Sequence, residues 1–288
     1  MHRRYQRIRT GLAIAALASL LGGCDAAWIT VDLGTDPPAD PEISAVQANL
    51  LGLEFRKGDS TTTTLEFRDG EIVDLLDLRD GDPLRLFTNE ELPAGTYTGV
   101  RLLFDPDQDQ SRVTTGDGDT RLRLAAGAFA DVSFTVEDDK ESREEFTLML
   151  DLRQSLSFEE ASDRYTLTPA LRSVQTADAA RVEGNVAVVC PAGTVLRDRG
   201  AIYLYSGRNV QPDDLDGVDA EPFATTGVID SGTAAFRYAL RFLPAGNYTL
   251  AFTCRGDDEV PGSSENLDFR NVANVEVAAG DVLQRNLD

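Results

Sequence analysis

Histidine is almost absent from this sequence of 288 residues. His2 is the only one, and it lies in a segment that we expect to be removed. The predicted mature chain therefore has no imidazole to act as a general base, a triad member or a metal ligand. This absence excludes Ser-His-Asp triads, Cys-His dyads and the usual zinc sites.

Cysteine is nearly as rare, with three residues in the whole chain. Cys24 is assigned to lipid attachment because of the amino-terminal signal around it, which leaves Cys190 and Cys254 as an even pair in an exported, oxidising setting. A bridge between them would close a loop of about 65 residues and add roughly 3 to 5 kcal/mol of stability. We expect a structural disulfide, because a redox-active pair would normally have closer spacing.

Positive charge is also scarce. Lys and Arg total 27 against 49 Asp and Glu, which gives a net charge of −22, and four arginines lie in the segment that we expect to lose, so the mature value is near −26. Such a surface repels phosphate backbones and anionic headgroups, which argues against nucleic-acid binding and against a polybasic membrane patch. Divalent cations and cationic partners are compatible with it, as is a simply solvated acidic surface.

The amino terminus contains the most specific signal. Four arginines precede a nearly continuous apolar run at 11–21, and Leu21, Gly22, Gly23 and Cys24 follow. The run is short for a permanent transmembrane helix and has the three regions of a cleaved secretory signal. It resembles the bacterial lipobox, so we predict a signal peptide at 1–23, cleavage before Cys24, and a lipidated tether at 24–27. A plain signal peptide and an uncleaved anchor are the alternatives.

The rest of the chain favours β-structure. Alternating or β-branched segments are separated by turn residues, and no segment has a long apolar period of 3.6 residues. Residues 165–174 are predicted as one strand, whereas 72–78 fits a strand or a short helix equally well. A small polar stretch at 176–180 suggests a domain boundary. The predicted fold is all-β, with two tandem β-sandwiches at 28–177 and 181–288.

One short motif occurs in both halves: LPAGTYT at 92–98 and LPAGNYT at 243–249. Proline and glycine are suited to a tight turn, and the tyrosine would begin the outgoing strand. We therefore expect a shared hairpin, with a repeated ligand loop as the alternative.

Two acidic loops and several tyrosines are the remaining candidates for binding. Asp105, Asp107 and Asp109 alternate as at the start of a calcium loop, although the later positions do not fit that motif. An acidic hairpin tip is the simpler interpretation. The second acidic loop contains Asp213, Asp214, Asp216 and Asp219. The tyrosines could line a sugar- or peptide-binding surface or pack inside the sheets; they are Tyr203, Tyr205, Tyr238 and Tyr248.

Two resemblances cover most of the chain. The segments at 46–67, 72–78, 91–105 and 146–174 look like a domain-of-unknown-function family that occurs in lipoproteins of bacteria and halophilic archaea. That resemblance implies an extracytoplasmic β-sandwich and assigns no activity. The second half, with RVEGNVAVVC and LPAGNYTLAFTC, is similar to transthyretin-like or carboxypeptidase-regulatory-like modules, which implies a small Greek-key sandwich, and fold similarity alone does not fix function.

These observations predict a non-enzymatic, lipid-anchored protein of the cell envelope that faces the periplasm or the exterior and serves as a binding or structural module. Its expected partners are a membrane, through lipid on Cys24, and an envelope protein or glycan, with no cofactor unless calcium binds. The alternatives are a carboxylate-dependent glycoside hydrolase, which would need two carboxyl groups at a catalytic separation, and a calcium-stabilised adhesin.

Overall fold

The computed structural model describes residues 27–79, 82–105, 110–137, 142–187, 190–191, 199–230 and 236–288. Twenty β-strands account for most of them, and the helical segments have three or four residues each. The prediction of an all-β fold is therefore confirmed. No helix in these ranges has both the length and the apolar character needed to cross a membrane.

Four strands form the first sheet, in the order β12-β9-β1-β4. Their bounds are Ala27–Asp36 for β1, Leu84–Leu92 for β4, Ser142–Asp151 for β9 and Leu171–Gln175 for β12. Strand β1 runs parallel to β9 and antiparallel to β4. Because β1 is central, its apolar side chains at 29, 31 and 33 are almost fully buried.

Eight strands form the second sheet, in the order β10-β11-β7-β6-β2-β5-β8, with β3 also paired to β2. Their bounds are Ala45–Lys57 (β2), Thr62–Asp74 (β3), Gly95–Phe104 (β5), Arg112–Thr115 (β6), Gly118–Leu124 (β7), Ala130–Val136 (β8), Leu156–Glu159 (β10) and Arg164–Leu167 (β11). Alternate residues of β8 are buried and exposed without exception, as expected for a strand with one face in the core.

The first two sheets enclose one apolar core. At its centre the ring of Phe134 stacks on that of Tyr97 at 4.9 Å between centroids and lies 5.1 Å from that of Phe146. Tyr97 and Phe134 belong to the second sheet and Phe146 to the first, so these aromatic contacts join the two layers. We call this unit the first sandwich.

The remaining strands form two four-stranded sheets around a separate core, which we call the second sandwich. The third sheet has the order β16-β17-β13-β20 and the fourth β15-β14-β18-β19. Their bounds are Ala180–Val186 (β13), Ala201–Ser206 (β14), Ala224–Gly227 (β15), Ile229–Asp230 (β16), Phe236–Leu243 (β17), Gly246–Thr253 (β18), Arg270–Val277 (β19) and Val282–Gln284 (β20).

The repeated LPAG motif connects two different sheets in each sandwich. It leads from β4 to β5 in the first and from β17 to β18 in the second, and neither pair of strands is hydrogen-bonded. The expectation of a hairpin is therefore wrong, because the same turn residues also suit a corner between layers. Tyr97 donates its hydroxyl proton to the carbonyl of Pro93 at 2.6 Å, and Tyr248 does so to Pro244 at 2.8 Å. Both are tyrosine corners of the kind found in Greek-key sandwiches.

Removing either corner hydroxyl should weaken the fold by a measurable amount. Tyr97→Phe and Tyr248→Phe each leave the ring in place but delete one hydrogen bond, so we expect each to lower the free energy of unfolding by about 1 kcal/mol. Urea denaturation measures this. Tyr165→Phe is the matched control, because Tyr165 is buried and no hydrogen bond of its hydroxyl is found in the described part of the chain; an equal loss in the control would contradict the assignment.

Two strand predictions differ from the structure in detail. Residues 165–174 form two strands, β11 and β12, which lie in different sheets and are separated by a bend that contains Pro169, where the proline cannot donate to a ladder. The ambiguous segment 72–78 is split as well: β3 continues to Asp74, and a single 3-10 turn follows at Leu75–Leu78. Asp74 caps that turn by accepting from the N–H of Leu76 at 3.0 Å.

Candidate functional site

The predicted lipidation residues lie outside the described ranges: Leu21, Gly22, Gly23 and Cys24. Asp107 and Asp109 also lie outside them, so of the first calcium candidates only Asp105 can be placed. Asp105 follows β5, and its Oδ2 accepts from the side-chain amide of Asn49 at 2.9 Å.

Cys190 and Cys254 are joined by a disulfide whose Cα atoms lie 5.7 Å apart, within the usual range for such bonds. Cys254 directly follows β18, and Cys190 follows β13 by a few residues. These strands belong to opposite sheets, so the bond joins the two layers at one end of the second sandwich. Both cysteines also pack against its core.

The candidate tyrosines do not form a surface. Tyr203, Tyr205, Tyr238 and Tyr248 are each at most 4% exposed, and their hydroxyl groups are used inside the protein. Tyr203, for example, donates to Oε2 of Glu259 at 2.8 Å, and Tyr238 donates to the carbonyl of Arg285 at 2.6 Å. They pack inside the sandwich and do not provide a sugar- or peptide-binding face.

Polar side chains of the first sandwich are buried against the second one, at a contact that we call the junction. Its centre is Asp151, the last residue of β9, which is 2% exposed. Asp151 Oδ2 accepts from the backbone N–H of Thr225 at 2.7 Å, and the Thr225 hydroxyl donates to the same carboxylate at 2.9 Å. Since β15 is an edge strand, Asp151 satisfies a donor that would otherwise be left open at that edge.

Arg172 is the second polar link of the junction. Its Nη1 lies 2.6 Å from Oδ2 of Asp36, and both side chains are about 95% buried. Its Nη2 donates to the carbonyl of Arg241 in β17 at 3.0 Å. Burial raises the pKa of the Asp36 carboxyl to about 6, although the positive charge of Arg172 opposes the shift. Arg172 therefore forms an ion pair with Asp36 in the first sandwich and a hydrogen bond to Arg241 in the second.

Arg153 provides the third link. It lies in the single helical turn Leu152–Ser155, is 4% exposed, and donates from Nη1 to the carbonyl of Gly256 in the second sandwich. Its guanidinium carbon also lies 5.8 Å from the ring centroid of Tyr203. A Cβ on Gly256 would meet the Cβ of Ala201 at 2.4 Å, so the close approach at this point requires glycine.

A groove of about 540 Å³ opens beside the junction. One wall is the proline-rich segment after β1, which contains Pro37, Pro38 and Pro41, and the other is formed by residues 226–230. Arg153 also contributes to the lining, and the described residues around the groove include no histidine or cysteine. The groove thus offers shape and polar contacts without an imidazole or thiol nucleophile.

The second acidic loop brings three carboxylates together. One oxygen from each of Asp213, Asp214 and Asp216 lies within 4.8 Å of the others. Burial raises the pKa of Asp213, and the charges of the neighbouring carboxylates add to this shift. Ionised together, these groups repel each other, and a cation would relieve that repulsion.

Glu259 lies close to this loop and was not a candidate from sequence. It is 3% exposed, accepts from Tyr203, and accepts from the N–H of Leu215 at 3.2 Å. Burial raises its pKa to about 7. Nothing in the local sequence distinguishes Glu259 from the other acids. The same is true of Asp36, Asp151 and Arg172, because each is buried by residues that are distant in the sequence.

Several solved structures align with this chain. They include the Bacillus anthracis TIE protein, the fimbrial anchor protein Mfa2 from Porphyromonas gingivalis, and a C-terminal fragment of the pilus adhesin SpaC from Lactobacillus rhamnosus GG. The Bacillus anthracis protein is 10% identical with a TM-score of 0.22, and the alignment covers 91% of this chain and 34% of that one. Mfa2 is 10% identical with a TM-score of 0.20, and the alignment covers 79% of this chain and 78% of Mfa2. The SpaC fragment is 15% identical with a TM-score of 0.16, and the alignment covers 90% of this chain and 96% of the fragment. This chain thus spans about a third of the Bacillus anthracis protein.

No curated protein matches the sequence. A family model described as a domain of unknown function (DUF4382) matches residues 24–169, just over half of the 288 residues. This match confirms the resemblance of the first half to a domain-of-unknown-function family. The chain belongs to the DUF4382 family.

Proposed function

We propose that the protein is a lipid-anchored, non-enzymatic component of the cell envelope whose two sandwiches act as one rigid unit. The buried junction supports the rigid unit, and the amino-terminal sequence supports the anchor. Asp151, Arg153 and Arg172 each hydrogen-bond from the first sandwich to the second. Buried polar groups that lose their partners are costly, so hinge motion at this contact would be resisted.

The anchor is proposed from the amino-terminal sequence. The proposed signal peptide is 1–23, and the lipidated tether is 24–27. Two domains follow: the first is 28–177, and the second, a transthyretin-like module, is 181–288. Lipid on Cys24 would hold the rigid unit at a membrane surface, where several acyl chains give stable attachment.

A binding or structural role is favoured over catalysis. His2, the only histidine, belongs to the proposed signal, and Cys190 and Cys254 are bonded to each other. The partner we propose is another envelope protein or a glycan, because the strongly negative charge of the chain disfavours nucleic acid.

Intact mass and membrane fractionation of the protein in a bacterial host test the anchor. The wild-type protein should carry a diacylglyceryl mass and sediment with membranes, whereas Cys24→Ser should lose both the lipid mass and the membrane association. Cys190→Ser is the control for loss of a cysteine elsewhere, and it should retain the lipid. If Cys24→Ser were as membrane-bound as the wild type, the anchor would have to be assigned to the apolar segment 11–21.

A further inference from the structure

The loop between β14 and β15, residues 207–223, holds its acidic residues in a fixed arrangement. Leu215 is buried, and its N–H bonds to Glu259. The hydroxyl of Tyr205 donates to the carbonyl of Asp213 and accepts from the Asp213 N–H at 3.1 Å. The loop is therefore seated on the outer face of the fourth sheet.

Asp214 is the unusual member of this cluster. It is 1% exposed, and its Oδ2 accepts from the backbone N–H of Glu265. Its Oδ1 is buried and has no hydrogen-bond partner among the described residues. Among the described residues, no Arg or Lys forms an ion pair with Asp213, Asp214 or Asp216. A buried carboxylate oxygen without a donor needs a cation or a water to offset its lost solvation.

The donor set indicates which cation would suit. All the available side-chain ligands are carboxylate oxygens, which are preferred by hard cations such as calcium and magnesium. The three aspartates come from one short, irregular loop, with positions i, i+1 and i+3. Calcium accepts six to eight oxygens in flexible geometry, whereas magnesium requires a near-ideal octahedron. Backbone carbonyls and water would complete a calcium shell.

We propose that Asp213, Asp214 and Asp216 bind one calcium ion that fixes this loop to the second sandwich. The site goes beyond the proposed function and does not depend on the lipid anchor. It also differs from the calcium candidate at Asp105, Asp107 and Asp109, so the two loops can be tested against each other.

Calorimetric titration of the chelator-treated mature chain with calcium chloride is the test. We expect one site per chain with a dissociation constant of about 0.1 to 1 mM, as in extracellular calcium modules. Calcium at ten times that constant should raise the melting temperature by about 2 to 4 °C. Asp214→Asn, which keeps the shape and removes the charge, should weaken binding at least about tenfold.

Two further variants complete the experiment. Asp213→Asn with Asp216→Asn alters only half-buried residues and should also abolish binding, which tests the site even if Asp214→Asn fails to fold. Asp107→Asn with Asp109→Asn should bind calcium like the wild type. The proposal is overturned if the wild type binds no calcium, if all variants bind equally, if only the Asp107 and Asp109 variant loses binding, or if magnesium stabilises the protein as well as calcium.

Discussion

Replacing Cys190 and Cys254 together by serine is expected to lower the free energy of unfolding by about 4 kcal/mol. The two residues are 64 positions apart, so their bond restricts a long loop of the unfolded chain. The bond also joins the third and fourth sheets at their ends, and Cys254 is 4% exposed, so two serine hydroxyls would be placed against the core. Urea denaturation under oxidising conditions measures the loss.

The control for this prediction is Cys24→Ser in the unlipidated mature chain, which replaces a cysteine without touching the bridge. Its stability should equal that of the wild type. Addition of a reductant should destabilise the wild type to the level of the double variant and leave the double variant unchanged. If the double variant were as stable as the wild type, the bridge would contribute nothing to the second sandwich.

Replacing Arg172 by methionine should cost about 3 to 5 kcal/mol, because it leaves the buried carboxyl of Asp36 without its partner. The hydrogen bond to the Arg241 carbonyl is lost at the same time. The pKa of Asp36 is already raised by burial, and without Arg172 it should rise further above its unfolded value. Stability from such a group is lost as pH rises through the folded pKa, so the loss should be larger at pH 8 than at pH 5.

Arg85→Met is the matched control for that substitution. Arg85 pairs with Asp32 at 2.5 Å, a distance similar to that of the buried pair, but the Arg85 side chain is 47% exposed. Exposed ion pairs contribute less than about 1 kcal/mol. Chemical denaturation of both variants at the two pH values measures the difference, and equal losses would mean that burial at the junction has no special effect.

Much of the fold could be predicted from local patterns. Strands such as β5, β14 and β18 combine β-branched or aromatic residues with flanking turn signals, which is the local pattern that predicts a strand. Strand β4 lacks this pattern, because its sequence, LRLFTNEEL, has four consecutive exposed polar residues at 88–91. It lies at the edge of the first sheet, where one side faces solvent and charged residues are tolerated.

The junction could not be predicted from the sequence, because it depends on contacts between residues that are far apart in the chain. Asp151 and Thr225 are 74 positions apart, and Asp36 and Arg172 are 136 apart. Composition also could not favour the acidic loop at 213–219 over the one at 105–109 as a cation site. Asp214 is distinguished by its burial and by the Glu265 N–H, and both follow from how the loops fold over the fourth sheet.

Scanning calorimetry of the mature chain tests most directly whether the two sandwiches form one unit. We predict a single transition whose calorimetric and van't Hoff enthalpies agree, because the junction couples the two cores. Arg172→Met weakens the junction, so it should separate the single transition into two or make the calorimetric enthalpy exceed the van't Hoff value. Two independent transitions in the wild type, unchanged by Arg172→Met, would contradict the rigid unit.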